Sequence, residues 1–353
     1  MRKKKQLDLI ESCELVADET SVFAGTNLPV FLSFALSNGE VVYSNSGAKF
    51  GFKDFVVTIT GAGRKLWNGN RKLTIGSFYN AIDDPFIHIK VQMIKRPEIS
   101  FSGTIPIHFN GTYSFNFSGN SAENGRNGNH GRKGAGYRTC ELRLNGRNGV
   151  RGEDGRNGER GRFGNRGDDV EVFVSLINAP ALNKQLVKIQ TRRVGGNEQV
   201  RYLEKTGQIT IYANGGNGGN GGIGGNGGEG EIGENSMDQL EASTRKGEGG
   251  NGGNGGDGGN GGDGGNGGDG GNVRVYFAAD AWFFQDNISV YSQGGEGGNG
   301  GYGGKRGEGA DGGKGELSRG TDGSNGYNGN RGYSGRRGRA GNLYFYSWDK
   351  YRK

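Results

Sequence analysis

The chain has 353 residues, of which 77 are glycine and only 5 are proline, and its formal net charge is +7 from 44 basic and 37 acidic residues. Glycine is about three times as frequent as in an average protein, and the shortage of proline argues against collagen. Only 31% of the residues are hydrophobic, so a conventional core can occupy only part of the chain. The small basic excess suits solubility and weak attraction to polyanions, and is not by itself a nucleic-acid signature.

Residues 1–13 are predicted to form an amino-terminal tail. The tail begins with a basic stretch, residues 2–5, but acidic residues follow it and no apolar run has the length that a signal peptide needs. No transmembrane segment is predicted elsewhere. Cys13 and Cys140 are the only cysteines. They are too few for a disulfide scaffold and lack the paired spacing of a zinc site.

Residues 14–118 show β-type patterning. Stretches rich in β-branched and aromatic residues cover 28–36, 54–60, 85–94 and 112–118, with Gly, Asn and Ser between them. This region is therefore predicted to be a β-sandwich.

Glycine then recurs at every third position in six separate runs. Runs 3 and 4 and the start of run 5 read Gly-Gly-X, whereas runs 1, 2 and 6 have one glycine in three. The six are run 1 (119–134), run 2 (146–167), run 3 (215–233), run 4 (249–271), run 5 (294–315) and run 6 (320–341).

A period of three residues fits neither an α-helix nor a strand, but it is the turn of a polyproline-II-type helix. The runs have similar lengths and would make rods of about 55 to 70 Å at that rise. We therefore predict a six-helix polyglycine-II bundle, with a flexible glycine-rich linker as the alternative. Runs with two glycine rows should lie inside it, and the arginine-bearing runs outside.

Strand-like segments also separate the runs, in residues 168–214 and 272–293 and in a carboxyl-terminal strand, 342–353. If successive runs alternate in direction, these strands lie at the same end as the sandwich. The connectors 137–145, 234–248 and 316–319 then lie at the opposite end. The predicted fold class is mainly β plus non-α/non-β: an amino-terminal β-sandwich base, and a bundle over 119–341 interleaved with β-segments, of which 137–145 is one.

Three sets of residues are candidates for function. Scaffold positions, where a neighbouring backbone approaches closely, are Gly146, Gly149, Gly152, Gly155, Gly215, Gly218, Gly252, Gly255, Gly258, Gly297, Gly323 and Gly326. Candidate contacts at the connector end, where loops carry binding residues, are Tyr137, Arg138, Glu141, Met237, Gln239, Arg245 and Arg319. The candidate assembly strand contains Tyr344, Phe345, Tyr346 and Trp348.

Runs of the form GGNGGNGG and GGDGGNGG, joined by short connectors and preceded by a β-domain, resemble the distal tail-fibre adhesins of T-even-like phages. The resemblance covers residues 119–341 and depends on the type of repeat. It implies a base that attaches to a fibre or other protein partner, connectors that contact a cell-surface receptor, and a virion or extracellular location. Springtail antifreeze protein and bacterial collagen-like surface proteins are similar in the same respect.

No catalytic, cofactor or metal site is expected. Asp257, Asp263 and Asp269 share one row, but neighbours are nearly 19 Å apart at the polyproline-II rise and cannot share an ion. We expect a non-enzymatic adhesive rod, with a cell-surface receptor or polyanionic glycan as partner and no nucleic acid. The alternative is a structural subunit that polymerises through strands of the base into a fibre, sheath or surface filament.

Overall fold

The computed structural model describes residues 7–17, 19–46, 48–136, 144–236 and 246–348. About a third of these residues are strand, and the named strands form four sheets. The strands are β1 (Ile10–Ala17), β2 (Val22–Phe23), β3 (Asn27–Leu36), β4 (Val41–Tyr43), β5 (Phe55–Gly61), β6 (Gly63–Asn68), β7 (Leu73–Ser77), β8 (Phe86–Met93), β9 (Ser100–His108), β10 (Thr112–Asn116), β11 (Val170–Ala179), β12 (Lys184–Arg193), β13 (Glu198–Leu203), β14 (Gln208–Tyr212), β15 (Val273–Phe277), β16 (Ile288–Tyr291) and β17 (Leu343–Ser347).

Two sheets built from β1 to β9 pack around the larger hydrophobic core. One has the order β1-β3-β7-β6 with β4 paired to β3, and the other has the order β2-β9-β8-β5. Buried residues alternate along β3 with more exposed ones, as in a half-buried strand. The ring centre of Phe34 lies 4.6 Å from that of Phe50 and 5.4 Å from that of Phe55. β1 begins at Ile10, inside the predicted tail, because Ile10 and Cys13 are buried in this core.

A second pair of sheets contains the strands that adjoin the runs. β10, β14 and β16 are parallel and form a three-stranded sheet. The other sheet has the order β13-β12-β11-β15-β17, in which β11, β15 and β17 are parallel. The two share a core that includes Phe115, Ile211, Val172 and Phe277. The predicted strand at 112–118 therefore belongs here, as β10, and pairs with β14.

The six runs continue these two sheets as two layers. β10, β14 and β16 lead into runs 1, 3 and 5, while runs 2, 4 and 6 lead into β11, β15 and β17. Runs within a layer are parallel, and runs in different layers are antiparallel. All strands that adjoin the runs thus lie at one end, the base. The opposite ends of the runs form the other end, which we call the connector end. We call the six runs together the glycine array.

Backbone hydrogen bonds of 2.7 to 3.1 Å join the runs at every third residue. Runs 2 to 6 each donate one series of backbone N–H groups to carbonyl groups of the preceding run. Runs 1 to 4 each donate another series to the run two places later in the chain. Gly256, for example, donates to Gly228 of run 3, and Gly258 donates to Tyr327 of run 6. Runs 3 and 4 are consequently bonded to four other runs, whereas runs 1 and 6 are bonded to two. The Gly-Gly-X runs 3 and 4 therefore lie inside, while run 5 has three bonded neighbours, as does run 2.

The prediction of a six-helix polyglycine-II bundle is wrong for this structure, although the mainly β character agrees. The helical elements with described bounds are three short 3-10 helices, 52–54, 180–182 and 279–287, and none lies in a run. The described residues of the runs form neither helix nor strand, and the regular structure of the chain is mainly strand, arranged in four sheets beyond which the runs bond laterally. Among the described glycines, positive φ angles occur only at Gly25, Gly39, Gly61 and Gly195, which lie outside the runs. The glycines of the runs are therefore needed because they let neighbouring backbones approach closely, and not for an unusual φ angle.

Candidate binding surfaces

Three rows of residues run along every segment of the array, and each row has a fixed environment. In run 4 the first row contains Gly249 and every third residue after it, the second row starts at Gly250, and the outer row starts at Asn251. The corresponding rows start at Gly294, Gly295 and Glu296 in run 5, and at Asp322, Gly320 and Thr321 in run 6. A Cβ atom added to a first-row glycine would meet the backbone of the next run in the chain. A Cβ atom added to a second-row glycine would meet the run two places earlier.

This geometry explains which runs need two glycine rows. Runs 1 and 2 have no run two places earlier, so their second rows carry Asn, Glu and Arg side chains and, at one position, Val150. Run 6 has no following run, so its first row carries side chains such as Asp322, Asn325 and Arg331. Runs 3, 4 and 5 have both neighbours and are the Gly-Gly-X runs.

The predicted scaffold glycines all lie in these facing rows. At each, an added Cβ atom would come closer than 3.0 Å to a backbone carbonyl oxygen of a neighbouring run, a distance that real Cβ atoms essentially never show. These positions are Gly146, Gly149, Gly152, Gly155, Gly215, Gly218, Gly252, Gly255, Gly258, Gly297, Gly323 and Gly326.

The outer rows form side-chain ladders that the sequence analysis missed. In run 4 the Oδ1 atom of each outer Asn or Asp accepts the backbone N–H of an outer residue in run 6, at 2.7 to 3.0 Å. Run 2 caps run 4 in the same way through Asn148 and Asn157. Run 3 caps run 5 through Asn217 and Asn220. The Asn and Asp residues of the repeat thus satisfy outer-row N–H groups that donate to no backbone carbonyl of the described residues.

Asp154 of run 2 shows how the ladder affects ionisation. Its Oδ1 accepts the N–H of Asp257 at 2.7 Å, and Arg151 lies 2.7 Å from the same carboxylate. The backbone hydrogen bond from Asp257, followed by the Arg151 interactions, lowers the pKa of Asp154 despite an opposing desolvation effect. The carboxylate is therefore favoured as a hydrogen-bond acceptor.

Side chains close one edge of the array. The N–H groups of Arg306, Gly309 and Gly312 in run 5 donate to Asn328, Asn325 and Asp322 of run 6, each at 2.9 Å. These acceptors come from the first row of run 6, where glycine would be needed for a seventh run. A further run would meet their side chains instead.

At the connector end, Arg319 is the one predicted contact within the described residues. Its guanidinium lies 2.9 Å from Asp322 and 3.9 Å from Asp311, so it ties run 5 to run 6. The other six, Tyr137, Arg138, Glu141, Met237, Gln239 and Arg245, lie outside the described residues.

A small cavity of about 50 Å³ also opens near the connector end. Glu231 lines it, and its Oε2 accepts the N–H groups of Gly136 at 2.8 Å and Val150 at 3.2 Å. This carboxylate stands where the regular bonding between runs 1 and 2 stops. The Glu231 carboxylate therefore takes the place of a backbone acceptor at this point of the array.

The predicted assembly strand is β17, at one end of its sheet order. Phe345 packs against the core. The ring of Tyr346 stacks on that of Tyr276, and the ring of Trp348 contacts that of Phe173, each with 5.3 Å between ring centres. Tyr344 is 40% exposed. The strand is thus integrated into the base, while its outer edge pairs with no other described strand.

The described ranges contain no group of three or more His, Cys, Asp or Glu side chains placed to hold a metal ion. Within the same ranges, no helix has the length and apolar character needed to cross a membrane. No protein-family model matches the sequence, and no curated protein matches it either.

Proposed function

We propose that this chain is a non-enzymatic adhesive rod of a virion or extracellular surface. Its β base would attach to a protein partner in a larger assembly, and its connector end would bind a cell-surface receptor. The observation that carries the proposal is the lateral bonding that joins each run of the glycine array to two or more others, which fixes the connector end relative to the base. Extended runs of about 22 residues span at most about 75 Å, enough to separate the two ends widely.

The rigid array suits presentation of loops. Binding residues are commonly placed on loops that a rigid scaffold positions, and here successive runs return to the same end three times. Because Arg319 pairs with Asp311 and Asp322, its role is to join runs 5 and 6. Receptor recognition would therefore depend on the other two connectors.

The test is binding of the labelled full chain to a panel of cell envelopes. Replacing residues 237–245 with a Gly/Ser segment of equal length should abolish binding to the envelope that the wild type recognises. Asn299→Ala, on the exposed outer row of run 5, is the control and should bind normally. Undiminished binding by the replacement variant would exclude recognition through this connector.

A structural subunit of a filament is the second candidate, favoured by the unpaired edge of β17 with Leu343 43% exposed. An exposed edge can pair with another chain unless charge prevents it. If this role is correct, electron microscopy of the purified protein shows regular filaments, and Tyr344→Lys disperses them. A monodisperse single rod would reject it.

A further inference from the structure

The outer row of run 6 differs from the outer rows of runs 1 to 4. No run lies two places beyond run 6, so its outer side chains have no N–H groups to cap. Run 4, by contrast, has Asn or Asp at every outer position from 251 to 269. The run 6 outer row is Thr321, Ser324, Tyr327, Asn330, Tyr333, Arg336 and Arg339.

Tyr327 and Tyr333 are unusually open to solvent. Their exposed fractions are 80% and 83%, the highest among the large hydrophobic and aromatic side chains of the described residues. Within those residues neither ring stacks on another ring or on a cation. Large aromatic rings that remain exposed to water indicate a binding surface, because a flat ring is suited to stacking against a ligand.

Both the backbone N–H and the backbone carbonyl of Tyr327 and Tyr333 are hydrogen-bonded to run 4. The N–H of Tyr327 donates to Asp257 at 2.7 Å, and the N–H of Tyr333 donates to Asp263 at 2.8 Å. Their carbonyl groups accept bonds from Gly258 and Gly264 at 2.8 Å. The rings therefore project from a preorganised surface, which reduces the entropy that a ligand must overcome.

Asn330 lies between the two tyrosines on the same row. Its N–H donates to Asn260 at 2.8 Å, whereas its side-chain amide makes no hydrogen bond within the described part of the chain. An outward amide between two rings can donate to and accept from hydroxyl groups.

Towards the base the row becomes basic. Arg336 and Arg339 are exposed, and neither guanidinium forms an ion pair with a described acid, whereas nearby Arg337 pairs with Glu296 at 3.2 Å. Asp269 on run 4 accepts the backbone N–H of Arg339 at 2.7 Å. The two guanidinium groups therefore retain donors for an anionic ligand.

We propose that the run 6 outer row binds a linear acidic polysaccharide. The sugar rings stack on Tyr327 and Tyr333, hydroxyl groups bond to Asn330, and anionic groups pair with Arg336 and Arg339. The straight order of these residues fits an extended polymer, because they follow one row and do not surround a pocket. This inference concerns a face of the array, so it does not depend on receptor binding at the connector end.

The experiment measures binding of the full chain to a polyuronate, a sulfated polysaccharide, a neutral glucan and single-stranded DNA. We expect an acidic polysaccharide to bind more tightly than the glucan or the DNA. The double variants Tyr327→Ala/Tyr333→Ala and Arg336→Gln/Arg339→Gln should each weaken that binding by roughly tenfold or more. The salt dependence should be smaller in the arginine variant.

Tyr302→Ala is the matched control. Tyr302 is an exposed outer-row tyrosine of run 5, in the opposite layer, where Arg331 lies 4.7 Å from its ring centre. This variant should bind normally. The proposal is overturned if neither acidic polysaccharide binds, if glucan or DNA binds as tightly, or if the run 6 variants match the wild type or the control. The separate envelope-binding test, which replaces residues 237–245, can fail without affecting this result.

Discussion

The Oδ1 atom of Asp257 accepts the backbone N–H of Tyr327 at 2.7 Å, although the two residues are 70 positions apart in the chain. The same relationship recurs along run 4, where alternating Asn and Asp would otherwise suggest only polarity. These residues act as backbone caps for the next run of their layer. The outer-row N–H groups of run 6 are thereby satisfied by side chains.

Removing one cap should destabilise the array modestly. Asn260→Ala leaves the N–H of Asn330 without its acceptor, and we expect a loss of about 0.5–1.5 kcal/mol in the free energy of unfolding. Denaturant unfolding measures this change.

Asn330→Ala is its matched control, because the Asn330 side chain caps nothing in the described residues, and its effect should be within about 0.5 kcal/mol. Ile223→Asn is the reciprocal variant, since Ile223 occupies the position from which the N–H of Tyr302 would be capped. It should be neutral or stabilising. Equal losses for Asn260→Ala and Asn330→Ala would contradict the capping role.

Adding a methyl group to a facing row should be costly. Gly303→Ala would direct a Cβ atom at the carbonyl oxygen of Gly329, and neither backbone can withdraw without breaking lateral bonds. We expect about 1–3 kcal/mol of destabilisation, measured by thermal or denaturant unfolding.

The comparison for Gly303→Ala is a change in the first row of run 6, which faces no further run. Ser334→Ala removes a hydroxyl at such a position and should change stability by less than about 0.5 kcal/mol. If Gly303→Ala were equally harmless, the close approach of runs 5 and 6 would be incorrect.

Asp154 should contribute an acid-sensitive part of the stability. Its folded-state pKa lies below the ordinary aspartate value of about 3.9, so its contribution is present above that pH and is lost as pH falls through the folded pKa. Asp154→Asn keeps an Oδ1 acceptor and should flatten the fall in stability below about pH 4. Unfolding curves between neutral and acid pH test this; an unchanged acid slope would show that Asp154 titrates alike in both states.

The thiol of Cys13 should be unreactive in the folded protein. Burial, with a smaller contribution from Glu14, raises its pKa to about 11. The resulting stability is fully present below the unfolded-state pKa of about 8.5 and is lost as pH rises through the folded value. In a Cys140→Ser background, a thiol reagent at pH 8 should modify Cys13 only in denaturant. Rapid modification without denaturant would contradict its place in the core.

Sequence periodicity predicted much of the architecture but not its class. The three-residue spacing identified every facing glycine named above, because a row that touches a neighbouring backbone excludes Cβ atoms. It could not show that β10 pairs with β14 or that β15 pairs with β17, since strand pairing joins residues far apart in the chain. The helical interpretation failed because a three-residue period reports which positions face a neighbour and does not by itself define a helix.

The outer surfaces were predicted least well. Asn and Asp at outer positions looked like ordinary polar residues, and their partners in another run could be found only from the order of runs within each layer. Arg319 looked like a free contact, yet its partner Asp322 is three residues away and carries an acceptor used by Gly312. Local sequence does not distinguish a binding arginine from one that closes a connector.

Residue-resolved amide hydrogen exchange tests the central claim, the lateral bonding of six runs in two layers, most directly. We predict strong protection at first-row and second-row glycines of runs 3 and 4, such as Gly258 and Gly259, whose N–H groups donate to Tyr327 and Gly225. The first-row amides Gly294, Gly297, Gly300 and Gly303 of run 5, which have no acceptor in the described residues, should exchange much faster. Uniform exchange at unfolded-chain rates across the runs would contradict the account.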